Sequence, residues 1–314
     1  MFVIPDDFVG KMIALHGANG HAWLQRLPTI LAACEQRWGL KIGAPFAHLS
    51  YHYAAPAMRS DSTTVVVKAC SPTNEFAREA EALRLFDGHG MAQLLDCDES
   101  DEVLLLEHLK PGTLLRTLED DEEATSHAAT VMRQLWRPVP PNHPFPTVND
   151  WGRGFARLRQ HYEGGSGPFP TSLLEEAEAL FAELSASMAE SVLLHGDLHH
   201  DNILAAQRQP WLAIDPKGLV GEPAYETGAL LRNPLPELLK APQPGRILAR
   251  RVDQLSEELG LDRERVRGWG LAQAVLSAWW SVEDTGQIWE GALTCAELLA
   301  AIKIQVGRSR ELVG

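Results

Sequence analysis

The stretch His195-Gly196-Asp197-Leu198-His199-His200-Asp201-Asn202 decides how the chain is read. An apolar run, Val192-Leu193-Leu194, precedes it, and Ile203-Leu204-Ala205-Ala206 follows. Gln207-Arg208-Gln209-Pro210 then turns the chain, and Trp211-Leu212-Ala213-Ile214 delivers Asp215. The pattern predicts a strand, a loop crowded with carboxylate and imidazole, a short hairpin, and one more acid at the hairpin's end. The spacing is H-x-D-x-x-x-x-N plus a later acid, the order that kinase-type phosphoryl transfer uses. Asp197 can accept the proton of a substrate hydroxyl and hold its oxygen in line with phosphorus. Asn202 and Asp215 offer the hard oxygens that Mg²⁺ prefers. His195 is expected to prop the loop, because imidazole's two ring nitrogens can tie two backbone segments together.

Upstream, Thr63-Thr64-Val65-Val66-Val67 reads as a β-branched strand with Lys68 at its end. Asn74–Phe86 reads as a helix, with Asn74 as N-cap and Glu79 inside it. An ammonium at the end of a buried strand needs a counter-charge. Glu79 is the expected partner, with Glu75 and Glu81 as alternatives. Taken alone, Lys68 reads more simply as a strand-end lysine reaching solvent. It gains meaning from the carboxylates that follow in the required order.

The rest of the amino-terminal region reads as a helix over about 19–38, a strand over Leu49–Tyr53, and strands over Ala92–Cys97 and Val103–Glu107. Beyond Lys110-Pro111-Gly112 the pattern turns helical. Leu114–Leu118, Glu122–Trp136, Trp151–Tyr162, Ser172–Ala189, Leu235–Leu239, Gly245–Glu258, Asp262–Glu283 and Leu293–Ile304 are the expected helices. The predicted fold class is α+β and bilobal. A small β-rich lobe spans 1–109 and a larger helical lobe spans 110–314.

With 314 residues the chain can bury a substantial core, and 45% hydrophobic with 22% charged residues is ordinary for a globular protein. Its formal charge of −14 argues against nucleic acid or an anionic membrane as the main partner. An acidic enzyme favours a cationic substrate, although a charged, solvated surface explains the same number more simply. Cys34, Cys70, Cys97 and Cys295 form no C-x-x-C pair and are expected to be reduced thiols. The first residues, Met1 to Asp7, show no basic and apolar leader pattern, and no apolar run reaches the ~20 residues of a membrane helix. A cytoplasmic protein, monomer or homodimer, is expected.

The stretch Leu193–Pro234 resembles the signature of the aminoglycoside phosphotransferases, and within them the streptomycin 6-kinase branch, the aminoglycoside/hydroxyurea resistance kinases. His195-Gly196-Asp197 with Asn202, and Ile214-Asp215-Pro216-Lys217-Gly218, carry the resemblance. Val67-Lys68, Arg78–Arg84 and Leu104-Leu105-Leu106-Glu107 extend it over most of the chain. The resemblance implies a protein-kinase-like fold and phosphorylation of a small-molecule hydroxyl by ATP, with GTP as the alternative donor, and Mg²⁺. Asp197 would be the base, Asn202 and Asp215 the metal ligands, and Lys68 with Glu79 the phosphate clamp. Glu107, His108 and Leu109 would form the hinge that meets adenine. Lys217 would approach the phosphates or pair with an acid, and Glu226 would brace the loops.

The chain departs from that pattern at the phosphate-covering loop, Pro45-Phe46-Ala47-His48-Leu49-Ser50-Tyr51, which has no glycine. Backbone N–H groups reach phosphate closely only where side chains permit. Ala47 or Ser50 is the expected contact there. Asp150, Glu283, Asp284 and Glu290, with Trp279, Trp280 and Trp289, are candidates for an acceptor pocket, though a Trp279-Trp280 pair on a helix more often packs a core. Two rival readings stand beside the kinase. One is a metal-dependent hydrolase built on His195, Asp197, His199, His200 and Asp201. The other is a pseudokinase-like binding protein, suggested by the glycine-poor loop.

Overall fold

A computed structural model describes residues 2–47, 49–73 and 75–303. The chain opens with helix α1 (Asp6–Trp38), which breaks at Gly17 (φ 54°, ψ −127°). Its carboxy-terminal half covers the expected helix. The half before the break was not anticipated; there Phe8 and Met12, four residues apart, bury one face.

Five strands follow: β1 (Leu40–Ile42), β2 (Tyr53–Arg59), β3 (Thr64–Ala69), β4 (Leu94–Asp98) and β5 (Val103–Glu107). They form one antiparallel sheet in the order β1-β2-β3-β5-β4. Side chains alternate across it. Tyr53, Ala55, Ala57, Val65, Val67, Ala69, Val103 and Leu105 pack against α1. Ala54 pairs with Lys68 and Pro56 with Val66 on the opposite face. Helix α2 (Phe76–Phe86) lies between β3 and β4 in sequence and joins the other core, which Leu104 and Leu106 share.

The predicted strand over Leu49–Tyr53 is a loop up to His52, and β2 starts at Tyr53. The ladder ends there for a physical reason. Cys70 N–H turns to the Glu102 carbonyl, and Ser71 N–H goes to the His52 ring, leaving residues 49–52 no strand to pair with. The predicted cap, Asn74, and the helix end at Ile304 lie outside the described residues, as does His48.

The remainder is helical around two small two-stranded sheets. A 3₁₀ turn (Leu115–Thr117) precedes α3 (Asp121–Leu135), α4 (Val148–His161) and α5 (Thr171–Ala186). Strand β6 (Val192–Leu194) pairs with β9 (Leu219–Gly221), and β7 (Ile203–Ala205) with β8 (Trp211–Ala213). Then come α6 (Pro223–Leu231), α7 (Glu237–Lys240), α8 (Pro244–Leu259), α9 (Arg263–Thr285) and α10 (Glu290–Ala300). The three-residue β9 and helix α6 were not read from the sequence. Helix α9 is buried continuously from Val266 to Trp279 and packs against α4, α5, α6, α8 and α10. A helix buried on all sides sits at a core, and Trp279 is part of that core. The expected α+β architecture, with a small sheet-based part and a larger helical one, is therefore the observed one. Among the described residues, no helix is long and apolar enough to cross a membrane.

Candidate active site

The loop after β6 is held from below by a buried carboxylate. Glu226, on α6, accepts from His195 N–H (2.6 Å) and Gly196 N–H (2.9 Å). The His195 ring ties the same loop to the β8 end: Nε2 donates to the Ile214 carbonyl (2.7 Å), and Nδ1 accepts from Asp197 N–H (3.2 Å). With both nitrogens engaged and the ring fully buried, His195 is pulled down to about 4, chiefly by burial, and is neutral. Gly196 sits at φ 88°, and a Cβ there would stand 3.2 Å from Trp151 and Leu219 side-chain atoms, so glycine is needed on both counts.

Burial lifts Glu226 from its ordinary 4.5 to about 7, against its two N–H donors. Folding therefore favours its proton. That contribution is full below pH 4.5 and is lost as pH rises through 7. His195, held neutral, works in the opposite sense between pH 6.5 and 4. The clean observable is a difference. Relative to wild type, Glu226→Gln is expected to gain stability between pH 4.5 and 8 by an amount on the order of 3 kcal/mol. Parallel pH–stability curves for the two proteins, from urea unfolding, would contradict this.

Asp197 is one-third exposed, with Arg232 Nη2 at 3.6 Å from Oδ1 and His199 Nε2 at 3.8 Å from Oδ2. Arg232, at the end of α6, is itself buried and also donates to Gln273 Oε1. Asn202 Nδ2 donates to the Asp197 carbonyl (2.9 Å), which turns the amide oxygen to its other side. The Asn202 carbonyl accepts from Ile214 N–H (2.9 Å), so the β7–β8 hairpin sets Asp215 beside Asn202. Asp215 has φ 60°, a left-handed conformation that Asp tolerates better than most residues.

Lys68 joins the two halves of the molecule. Its Nζ lies 2.6 Å from Glu79 Oε1 and 3.0 Å from Asp215 Oδ1. Burial disfavours the ammonium, but Asp215 and Glu79 outweigh it and keep Lys68 charged. For Asp215, burial pushes the carboxyl up while Lys68 pulls harder, to about 2. Of the alternative partners, Glu75 pairs instead with Lys217 (3.0 Å) and Glu81 with Arg84 (3.4 Å). Lys217 Nζ also stands 6.0 Å from the centre of the Tyr51 ring.

The hinge candidates separate. The Glu107 carboxylate is turned to Arg208 (2.9 and 3.1 Å) and to Gln93 N–H, so only its backbone carbonyl is left for a base. His108 faces Phe46 edge-on at 6.0 Å, and Leu109 packs with Ala92 and Leu212. Ser50 is exposed on the covering loop. Among the acceptor-pocket candidates, Asp150 accepts from Thr147 as a helix cap, and Glu283 pairs with Arg157 (2.6 Å). Trp289 and Glu290 begin α10. Trp280 packs on Trp151. Asp284 alone is within electrostatic reach of Tyr51, Glu75 and Lys217, and burial with Glu283 and Glu75 pushes its carboxyl up.

The hydrolase cluster is not assembled. Asp201 is engaged by Arg116 (3.0 and 3.1 Å), His195 has both ring nitrogens engaged, and His200 is buried. Among the described residues, no three His, Cys, Asp or Glu side chains gather to hold a metal ion. Asn202 and Asp215 do suit Mg²⁺ in donor type: one ionised carboxylate and one amide oxygen, both hard oxygen ligands. Arg232 and His52 escaped the sequence reading. A lone Arg after the apolar Ala229-Leu230-Leu231 was the available signal for the first. The second was concealed by taking its loop for a strand.

A sequence model of the aminoglycoside/hydroxyurea antibiotic resistance kinase family matches residues 46–285. Streptomycin 6-kinase of Streptomyces griseus is 33% identical over 286 residues, 90% of this chain and 91% of that protein. Hydroxyurea phosphotransferase of Kitasatospora aureofaciens is 35% identical over 287 residues, 90% of this chain and 81% of that protein. Among solved structures, aminoglycoside phosphotransferase APH(4)-Ia superposes with a TM-score of 0.63 at 14% identity, covering 88% of this chain and all of that one. Choline kinase LicA of Streptococcus pneumoniae gives 0.59 at 12% identity, covering 88% and 99%. The two structures share the fold, and the match over residues 46–285 shows that the chain belongs to the aminoglycoside/hydroxyurea antibiotic resistance kinase family and is a phosphotransferase.

Proposed function

We propose that this chain transfers the γ-phosphoryl group of ATP, taken up with Mg²⁺, to a hydroxyl of a small, cationic, sugar-like molecule of the aminoglycoside class. The observation that carries the reading is the Lys68 ammonium shared between Glu79 and Asp215 across the cleft. One charged group fixed by two carboxylates is set to receive phosphate oxygens, and phosphoryl transfer asks mainly for such positioning and charge neutralisation. Asp197 accepts the acceptor's hydroxyl proton as its oxygen bonds to phosphorus and the bond to the leaving diphosphate breaks. Arg232 and His199 orient that carboxylate. Asn202 and Asp215 would hold the Mg²⁺, which neutralises charge on the phosphates when bound. Lobes 1–109 and 110–314 meet at the Glu107–Leu109 hinge, whose backbone serves adenine. Asp284 faces the cationic groups of the acceptor.

The acceptor class rests on the similarity to streptomycin 6-kinase and hydroxyurea phosphotransferase. The test is a panel of aminoglycosides, hydroxyurea, sugars and polyols incubated with Mg·ATP and, in parallel, Mg·GTP. An ATP-dependent mass gain of one phosphate on an aminoglycoside is expected; no phosphorylated product from any acceptor would overturn the reading. The covering loop without glycine favours one competitor, a binding protein without turnover. It would show saturable Mg·ATP binding and no transfer in the same panel.

A further inference from the structure

We infer that His52 is a nucleotide-binding residue of this site, its Nε2–H donating to a phosphate oxygen of the nucleoside triphosphate where relatives of glycine-rich type use backbone N–H groups. The inference rests on the nucleotide reading above and adds to it the device by which a glycine-poor loop can still hold phosphate.

The covering loop has no glycine, and part of its backbone is already engaged. Gly43 N–H turns back to the Pro56 carbonyl (2.8 Å) and Phe46 N–H to the Ala54 carbonyl (3.0 Å), while Pro45 has no N–H. The loop is also pinned from outside, where Lys11 Nζ on α1 donates to the Leu49 carbonyl (3.0 Å). Side chains on this loop keep its remaining amides further from a phosphate than glycine would.

His52 stands where a donor is wanted. It directly precedes β2, in which Ala54 pairs with Lys68, and its ring meets Ser71, three residues beyond Lys68. The strongest charges acting on its ring are Lys68, Asp215 and Lys217, and the last two reach it from the far side of the cleft. Ser71 N–H donates to Nδ1 at 3.0 Å, so Nδ1 carries no proton and the ring proton sits on Nε2. Among the described residues, Nε2 has no hydrogen-bond partner in the protein. Burial, with Lys68, keeps the imidazole neutral, pulled down to about 2. The ring is thus a fixed donor beside the Lys68 ammonium, with its acceptor end locked to the backbone.

Two substitutions separate this role from a structural one. His52→Asn keeps an oxygen where Nδ1 accepts from Ser71 but has no atom at the Nε2 position. His52→Gln carries an amide nitrogen close to that position. A hydrogen bond from a neutral donor to charged phosphate oxygen predicts that His52→Asn raises KM and Kd for Mg·ATP about 10- to 100-fold. The changes in kcat and in melting temperature should be small. Adenosine, which lacks phosphate, should bind wild type and variant alike, and His52→Gln should recover most of the ATP affinity. Wild-type Mg·ATP affinity in His52→Asn, an equal loss for adenosine and ATP, or a His52→Gln variant no better than His52→Asn would each overturn the assignment. Calorimetry on the wild type separates the two levels of failure. A wild type that does not bind Mg·ATP overturns the nucleotide reading and His52 with it, whereas normal wild-type binding with an indifferent His52→Asn overturns His52 alone.

Discussion

Asp197→Asn is expected to lower the rate of phosphoryl transfer by about 10²- to 10⁴-fold while Mg·ATP affinity changes by no more than about threefold. The change removes one proton acceptor and one negative charge and leaves the shape intact. The Asp197 main-chain carbonyl still accepts from Asn202, so the metal-facing side of the loop keeps its anchor. Arg232 is the complication. It is buried 3.6 Å from the Asp197 carboxylate and has one further side-chain acceptor, Gln273. An asparagine oxygen still faces the guanidinium; an alanine presents no polar atom to it. Asp197→Ala should therefore melt lower than Asp197→Asn, since a buried guanidinium left without its partner is strongly destabilising. Steady-state kinetics with calorimetric nucleotide titration checks both halves. A near-normal kcat in the Asn variant would remove Asp197 from the base position. A parallel loss of ATP affinity would move it into the nucleotide site.

What the sequence made legible is what it encodes locally. Asp197, Asn202 and Asp215 lie within one loop and one hairpin, so their spacing alone brings them together. Lys68 and Glu79 are separated by one strand end and one helix turn, and burial at a strand end asks for a counter-charge. Arg232 meets Asp197 from 35 positions away, and Lys217 meets Glu75 from the opposite lobe. No periodicity records such meetings. Two of the acceptor-pocket acids, Asp150 and Glu283, are engaged elsewhere, because a carboxylate's availability depends on its neighbours. Thr147-Val148-Asn149-Asp150 is a capping-box spacing that the sequence displays openly, and it engages Asp150. The partner of Glu283, Arg157, lies on another helix and only the packing of α4 on α9 reveals it. Residues 49–52 differ from the expected strand because alternating apolar and polar residues form one only where a partner edge exists, and the edge beyond Ala69 is absent.

Asp215→Asn should be as damaging as the Asp197 change, and by a different route. On the proposed reading a single carboxylate at Asp215 would have two functions: a hard oxygen ligand for Mg²⁺ and the counter-charge 3.0 Å from Lys68. Losing the charge should cost several kcal/mol of charge stabilisation in the transition state, about 10³-fold in rate if it is near 4 kcal/mol. Unlike Asp197→Asn, it should also abolish the preference for Mg·ATP over metal-free ATP, read as Kd with and without a chelator. Lys68 stays charged beside Glu79 at 2.6 Å, so the phosphate-binding charge itself survives and residual metal-independent binding is expected. Asn is the sharper probe than Ala because the residue sits at φ 60°, where alanine adds strain of about 1 kcal/mol that has nothing to do with charge. Stability offers an independent check. The carboxyl is held at about 2, below its ordinary 3.8, so its contribution is present above pH 3.8 and disappears as pH falls through 2. The gap in stability between wild type and Asp215→Asn at neutral pH should accordingly narrow on acidification across that window. A gap that stays constant would mean that the Lys68–Asp215 contact stabilises nothing, and an unchanged preference for Mg·ATP would mean that the metal is held elsewhere.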